Sequence, residues 1–121
     1  MQHSEGFLKL VDEAKSRIRE ISAVETAKRI EAGEDLYFVD VREDNEWEKG
    51  HAKAAIHMGK GIIERDIESQ IADRQAEIIL YCGGGYRSAL AADALQKMGY
   101  KNVQSMAGGY KEWTRLKLPT L

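Results

Sequence analysis

The sequence predicts an α/β domain in which a mainly parallel central sheet is flanked by helices on both faces. Short apolar segments rich in β-branched and aromatic residues alternate with segments whose apolar residues recur at helical spacing. One of the apolar segments, residues 36–41, is apolar at nearly every position, which is typical of a strand buried on both faces of a parallel sheet. The length of 121 residues suits one compact domain.

The N-terminal part is predicted to be an extra helix. Apolar residues within residues 7–21 share one helical stripe, with charged residues between them: Leu8, Val11, Ile18 and Ile21. We therefore divide the chain into an N-terminal amphipathic helical extension, residues 1–21, and a main domain, residues 22–121.

The main domain begins with a helix predicted over residues 22–32. Ser22 followed by Glu25 three residues later is the pattern of a capping box, and Gly33 is a typical helix stop. Alternating elements follow the strand at residues 36–41. Helices are predicted over residues 42–49, 62–71, 88–98 and 110–116, and strands over residues 55–58, 78–81 and 102–106.

Composition excludes several classes of function. A net charge of -2 gives no electrostatic footprint for nucleic acid or for an anionic membrane surface. The first twenty residues lack the apolar core of a signal peptide, and one cysteine excludes an intramolecular disulfide framework, so we expect a cytoplasmic protein. The three histidines, His3, His51 and His57, do not have the spacing of a metal site, and none is predicted.

The segment with the most functional information is residues 82–88, Cys-Gly-Gly-Gly-Tyr-Arg-Ser, here called the cysteine loop. It joins the strongest predicted strand to a helix, where ligands bind in open α/β sheets. Gly83, Gly84 and Gly85 let successive N–H groups point into one concavity, and the helix start and Arg87 add positive charge. This setting favours the thiolate form of Cys82, which is then a nucleophile that can also hold an anionic group.

Other interpretations of this loop are less favoured. A buried inert cysteine would not need the three glycines or the Arg-Ser pair that follows. The glycines match neither a dinucleotide-binding fingerprint nor a phosphate-binding P-loop. Four residues separate Cys82 from Arg87, one fewer than in the cysteine phosphatase signature, so the cradle suits a sulfur atom on the cysteine better than a phosphoryl group.

The chain resembles a single-domain rhodanese, a sulfurtransferase of the rhodanese homology family. Four segments carry the resemblance in the expected order: VDVRE at residues 39–43, GH at 50–51 with AIH at 55–57, the cysteine loop, and AGG at 107–109 with Trp113. Ala52, Lys53 and Ala54 depart from the Ile, Pro and Gly that are usual after the GH pair, and Met106 and Ala107 precede the GG pair.

The resemblance implies a two-step covalent mechanism with no metal or organic cofactor. The Cys82 thiolate takes the outer sulfur of a small anionic donor such as thiosulfate and becomes a persulfide, and the donor leaves as sulfite. N–H groups of residues 83–88 hold the persulfide. A thiophilic acceptor then removes the sulfur: cyanide in an assay, and a thiol or a protein cysteine in the cell.

Several supporting residues have alternative roles. Arg87 either faces the anion or is braced by carboxylates, and we favour bracing. Asp40 and Arg42 are predicted to support the cysteine loop, with a helix cap as the alternative for Asp40. Glu43 and Glu46 are expected to be solvated, and His51 to form structural hydrogen bonds.

The sequence of the cysteine loop also predicts which substrates can reach Cys82. Tyr86 is expected to point outward and shape access to the site, and Ser88 belongs to the loop's binding residues. Because the variable positions of the loop hold only Gly and Tyr, attraction for a dianionic donor should be modest. Thiosulfate is therefore not expected to be the physiological donor.

Three other functions remain open: a non-catalytic persulfide carrier or partner-binding module, a phosphatase or arsenate reductase, and a purely structural module. The intact cysteine disfavours the structural module, and the short loop and the lack of a second cysteine disfavour the phosphatase. The oligomeric state, the physiological donor and the acceptor cannot be derived from the sequence.

Overall fold

The structure, a computed structural model, describes residues 3–121, which form five strands and six helices. In chain order these elements are α1 (Glu5–Lys15), β1 (Arg19–Ile21), α2 (Ala23–Glu31), β2 (Tyr37–Asp40), α3 (Asp44–Lys49), β3 (Ile56–His57), α4 (Ile63–Gln70), β4 (Ile78–Tyr81), α5 (Tyr86–Lys97), β5 (Val103–Met106) and α6 (Gly109–Arg115). No helix among these residues has both the length and the apolar content that a bilayer span requires.

The five strands form one sheet in the order β1-β5-β4-β2-β3, and every neighbouring pair is parallel. This confirms the predicted parallel sheet. Strand β4 is central and all four of its residues are buried. Because the strands are parallel, their carboxyl ends meet at one edge of the sheet, and Cys82 follows β4 at that edge.

Side chains of β4 alternate between two apolar clusters, as the period of a strand requires. Ile78 and Leu80 join the cluster that contains buried residues of α4 and α5. Ile79 and Tyr81 join the opposite cluster, which includes Trp113 of α6. Helices therefore cover both faces of the sheet, as predicted.

The prediction of one helix over residues 7–21 is wrong for its C-terminal part. Helix α1 ends at Lys15, and Arg19–Ile21 form strand β1 at the edge of the sheet beside β5. Three residues with a single buried side chain carry no detectable strand period, and Ile18 and Ile21 happen to continue the helical stripe. Backbone hydrogen bonds to the free edge of β5 determine the outcome.

Other element boundaries differ from the predictions by at most two residues. The largest functional difference is at α5, which begins at Tyr86 rather than at Ser88. Gly85, in the left-handed conformation at φ 96°, is the N-cap residue, so the helix can begin within the cysteine loop itself. Ser22 caps α2 as predicted, its hydroxyl accepting a hydrogen bond from the Glu25 N–H at 3.0 Å.

Candidate active site

Cys82 lies at the floor of an open cavity of about 1030 Å³, at the carboxyl end of β4 and the start of α5. The residue is only 1% exposed. The cavity is lined by His3, Ser4, Phe7, Glu46, Cys82, Gly83, Gly84, Tyr86, Arg87, Gly108, Lys111, Glu112 and Arg115. The thiol is therefore shielded from bulk solvent, although it lines the cavity.

Two polar groups lie within hydrogen-bond distance of the Cys82 sulfur. The Gly85 N–H donates to Sγ at 3.1 Å, and the Ser88 Oγ lies 3.4 Å from Sγ. Both groups come from the first turn of α5 or its cap, so the partial positive charge of the helix N-terminus points to the same place. The arrangement stabilises negative charge on sulfur.

A second hydroxyl lies behind Ser88. Ser105, fully buried on β5, has its Oγ 2.8 Å from the Ser88 Oγ. A thiolate can only accept hydrogen bonds, so Ser88 must then donate to Sγ and Ser105 must donate to Ser88. Ser105 could not be predicted as a site residue, because a serine on a strand has no distinctive sequence pattern.

Helix α6 holds the backbone of the cysteine loop through two hydrogen bonds. The N–H of Tyr110 donates to the Cys82 carbonyl at 2.7 Å, and that of Lys111 donates to the Gly83 carbonyl at 3.0 Å. These carbonyl oxygens therefore point toward the N-terminus of α6. A Cβ at Gly109 would lie 2.4 Å from the Cys82 carbonyl oxygen, so this close approach requires glycine.

Arg87 is braced by a carboxylate, the alternative favoured from the sequence. Its Nη1 and Nη2 donate to Oε1 and Oε2 of Glu46 at 2.7 and 3.0 Å. This pairing lowers the pKa of Glu46 to about 2, chiefly through the hydrogen bonds from Arg87. Glu46 was expected to be solvated, and that expectation is wrong, because the tertiary fold brings α3 against the cysteine loop.

Glu43 is exposed, but it also has a structural role. It forms a capping box with Glu46, whose Oε1 accepts a hydrogen bond from the Glu43 N–H at 3.1 Å. The Glu46 carboxylate is thus held by the start of its own helix as well as by Arg87.

Asp40 and Arg42 lie beside the residues that flank the loop. The fully buried Asp40 carboxylate accepts hydrogen bonds from the backbone and side chain of Arg42, and it caps no helix because Glu43 is the N-cap of α3. The Arg42 guanidinium lies 4.1 Å from the Tyr110 ring centroid. Within residues 3–121 neither side chain hydrogen-bonds to the cysteine loop, so any support is indirect. It can pass through Tyr110, which bonds to Cys82, or through Tyr81, which pairs with Asp40 in the sheet and whose ring centroid lies 5.7 Å from the Arg42 guanidinium.

Tyr86 packs against the N-terminal segment. Its ring centroid lies 4.6 Å from that of His3 and 6.3 Å from that of Phe7, and Lys15 Nζ lies 5.3 Å from it. Tyr86 lines the cavity, but the N-terminal residues that line the cavity beside it were not anticipated. A helical stripe in the sequence does not show which part of the domain the helix covers.

Two histidines stack on Trp47 of α3, on the side of that helix near the GH segment. The ring centroids of His51 and His57 lie 3.5 and 4.9 Å from that of Trp47. His51 Nδ1 lies 3.0 Å from the Ala52 carbonyl oxygen, consistent with a structural hydrogen bond. Among residues 3–121, no cluster of three or more His, Cys, Asp or Glu side chains is placed to hold a metal ion.

Comparisons with known proteins agree with this geometry. A family model for the Rhodanese-like domain matches residues 22–116. A Bacillus subtilis protein named "Putative sulfurtransferase YtwF" is 36% identical over 79% of this chain and 90% of its own length. Another, named "Putative sulfur carrier protein YrkF", is 33% identical over 82% of this chain, which spans about half (52%) of that relative.

A solved structure from Rhodopseudomonas palustris superimposes with a TM-score of 0.88. It is 29% identical, covers 98% of this chain and 96% of its own, and is described as "Protein of Unknown Function RPA3614, Possible Tyrosine Phosphatase". With a family model that covers most of the sequence and a relative that matches along nearly all of its own length, the chain belongs to the rhodanese-like domain family.

Proposed function

We propose that the protein is a sulfurtransferase in which Cys82 accepts a sulfane sulfur as a persulfide and passes it to a thiophilic acceptor. One observation carries the proposal. The Cys82 sulfur lies at the floor of a cavity, with the Gly85 N–H 3.1 Å away and the Ser88 hydroxyl 3.4 Å away. A nucleophile with donors on its buried side can take up a group from its open side.

With thiosulfate, the first step exchanges one sulfur–sulfur bond for another. The Cys82 thiolate attacks the outer sulfur, a bond forms between the two sulfurs, and the bond to the central sulfur breaks, so that sulfite leaves with the electron pair. Negative charge then lies on the outer sulfur of the persulfide. Donors from the cysteine loop and from the N-terminus of α5 stabilise that charge.

The second step returns the enzyme to its starting state. A nucleophilic acceptor, cyanide or a thiolate, attacks the outer sulfur of the persulfide, and the Cys82 thiolate is the leaving group. Because the sequence contains one cysteine, no second thiol of this chain can take the sulfur. The acceptor is therefore another molecule, either a low-molecular-weight thiol or a protein cysteine.

A cytoplasmic location of the protein stays a prediction.

A non-catalytic persulfide carrier is the alternative. The relative named a sulfur carrier supports it, and the buried Cys82 sulfur suits storage as well as turnover. The two functions differ in rate: a carrier would hold one sulfur per Cys82 and show negligible turnover with small donors.

A phosphatase is a third function, raised by the description of the R. palustris structure. In this chain Arg87 is tied to Glu46, and the loop between Cys82 and Arg87 has only four residues. Both features disfavour a cradle for a phosphoryl group above the sulfur. Hydrolysis of p-nitrophenyl phosphate that depends on Cys82 would favour the phosphatase.

Steady-state thiocyanate formation from cyanide and a set of donors tests the proposal. We expect turnover with thiosulfate, with mercaptopyruvate or with glutathione persulfide, and its complete loss in Cys82→Ser. Turnover that persists in Cys82→Ser would refute the proposal. Sulfur loading of Cys82 without turnover would favour the carrier.

A further inference from the structure

The cavity above Cys82 includes residues that lie outside the family match. His3, Ser4 and Phe7 line it, although the match begins at residue 22. Their position is set by α1, which packs along α5 and is anchored just beyond its end by two hydrogen bonds from Arg17 to Asp93, at 2.9 and 2.8 Å. This part of the cavity is therefore a feature of this chain's N-terminal segment.

One side of the cavity is aromatic. The rings of His3, Phe7 and Tyr86 contact one another, with centroids 4.6 to 6.3 Å apart, and are here called the aromatic wall. Phe7 is half-buried, so part of its ring remains available to a ligand. Contact with such a wall favours an organic ligand body over a small inorganic anion.

Charged side chains also line the cavity. Arg87 is paired with Glu46, and Arg115 with Glu112 at 2.7 Å. Lys111 is exposed and forms no ion pair with any residue from 3 to 121. Its backbone N–H is bonded to Gly83, so its position beside the cysteine loop is fixed. Lys111 is thus the lining cation available to an anionic group of a ligand.

The volume of the cavity also suits an organic ligand. Cavities of about 300–1,000 Å³ hold drug-sized organic molecules. The cavity above Cys82, at about 1030 Å³, is far larger than thiosulfate or cyanide requires.

We propose that the N-terminal segment and Lys111 make this site selective for an organic hydropersulfide that carries a carboxylate. The body of the donor lies on the aromatic wall, its carboxylate lies near Lys111, and its terminal sulfur reaches Cys82. This inference rests on the sulfurtransferase function proposed above and names its substrate class.

The chemical step is balanced without another reagent. The Cys82 thiolate attacks the terminal sulfur of R–S–SH, a sulfur–sulfur bond forms to Cys82, and the bond between the donor's two sulfurs breaks. The donor leaves as the thiolate R–S⁻ with the electron pair, and Cys82 carries –S–SH. The sulfur passes between two thiols, so no external oxidant or reductant is needed.

The test measures the rate at which Cys82 gains one sulfur, by intact-mass spectrometry, with glutathione persulfide and with thiosulfate. We expect Phe7→Ala to lower the ratio of kcat/KM for glutathione persulfide to that for thiosulfate about fivefold to tenfold. Leu10→Ala, on the same helix but 56% exposed and outside the cavity, is the matched control and should keep the wild-type ratio.

Lys111 is tested with two small donors that differ only in charge, the persulfides of N-acetylcysteine and of N-acetylcysteine amide. We expect Lys111→Ala to lower the preference for the carboxylate about threefold to tenfold. Lys28→Ala, an exposed helical lysine distant from the cavity, should retain that preference. Phe7→Leu keeps apolar volume without the ring, so it gives the same answer if Phe7→Ala unfolds.

The inference would be overturned if the Phe7 and Lys111 variants both kept wild-type selectivity and Cys82 still gained sulfur from the donors. Failure of wild-type Cys82 to gain sulfur from every donor would instead overturn the proposed function.

Discussion

Arg87 and Glu46 form a two-point ion pair, with both guanidinium nitrogens bonded to the carboxylate oxygens at 2.7 and 3.0 Å. The pair ties the start of α5 to α3, a helix from a distant part of the chain. Arg87 is therefore held against a carboxylate at the rim of the cavity, and the Cys82 sulfur receives its hydrogen bonds from Gly85 and Ser88. The arginine thus has a positioning role.

Breaking this pair should loosen the cysteine loop. We expect Glu46→Gln to lower the free energy of unfolding by about 1–2 kcal/mol, since it removes one partner of a partly buried charged pair. Sulfur transfer should also slow, because the first turn of α5 loses its anchor. Urea denaturation and thiocyanate assays measure the two effects. Glu48→Gln, exposed on the same helix, should match wild type.

The same pair predicts how stability depends on pH. The pKa of Glu46 is lowered to about 2 in the folded protein, from an ordinary value of 4.5. A carboxyl with a lowered folded pKa contributes stability that is present above its ordinary pKa and lost as pH falls toward the folded value. The stability difference between wild type and Glu46→Gln should therefore be constant above about pH 5 and shrink as pH falls toward 2. A difference that is equal at pH 6 and pH 3 would contradict this account.

Ser105 should act on the reaction through Ser88. Its hydroxyl lies 2.8 Å from Ser88 Oγ and is fully buried. We expect Ser105→Ala to slow persulfide formation about threefold to tenfold, because Ser88 is no longer oriented to donate to sulfur. The pH dependence of the rate should change as well, which loss of packing alone would not cause. Ser69→Ala, an exposed hydroxyl on α4, is the control. An unchanged rate and pH profile in Ser105→Ala would remove Ser105 from the mechanism.

Gly109 should be intolerant of any side chain. A Cβ there would lie 2.4 Å from the Cys82 carbonyl oxygen and 2.7 Å from Gly83 atoms, all of them backbone. We expect Gly109→Ala to push the loop away from α6 and to lower kcat/KM by about a hundredfold, as misplacement of reacting groups commonly does. Gly61→Ala, with no atoms near the added Cβ, should retain activity. Near-normal activity in Gly109→Ala would show that the loop does not depend on this contact.

The fold and the centre of the site could be predicted from the sequence because both depend on local patterns. Buried parallel strands appear as apolar runs, and the sequence Cys-Gly-Gly-Gly after such a run marks a strand-to-helix turn. Strand β1 could not be predicted, because three residues at a sheet edge carry too little pattern.

The long-range partners of the site residues could not be predicted from the sequence either. Glu46 resembles any surface glutamate until the fold places it against Arg87, which is 41 positions away. The same holds for Ser105 behind Ser88, and for Phe7 beside Tyr86. The GG pair at residues 108–109 is visible in the sequence as a motif, but its physical reason, the close contact of Gly109 with the Cys82 carbonyl, exists only in the folded chain.

The most direct test of the central claim is the mass of Cys82 through one reaction cycle. After exposure to a sulfane sulfur donor, the protein should gain about 32 Da, the mass of one sulfur, at the peptide that contains Cys82. Addition of cyanide should then remove that mass and release one equivalent of thiocyanate. Cys82→Ser should gain nothing. A wild-type protein that never gains this mass, or that gains it at another residue, would contradict the account.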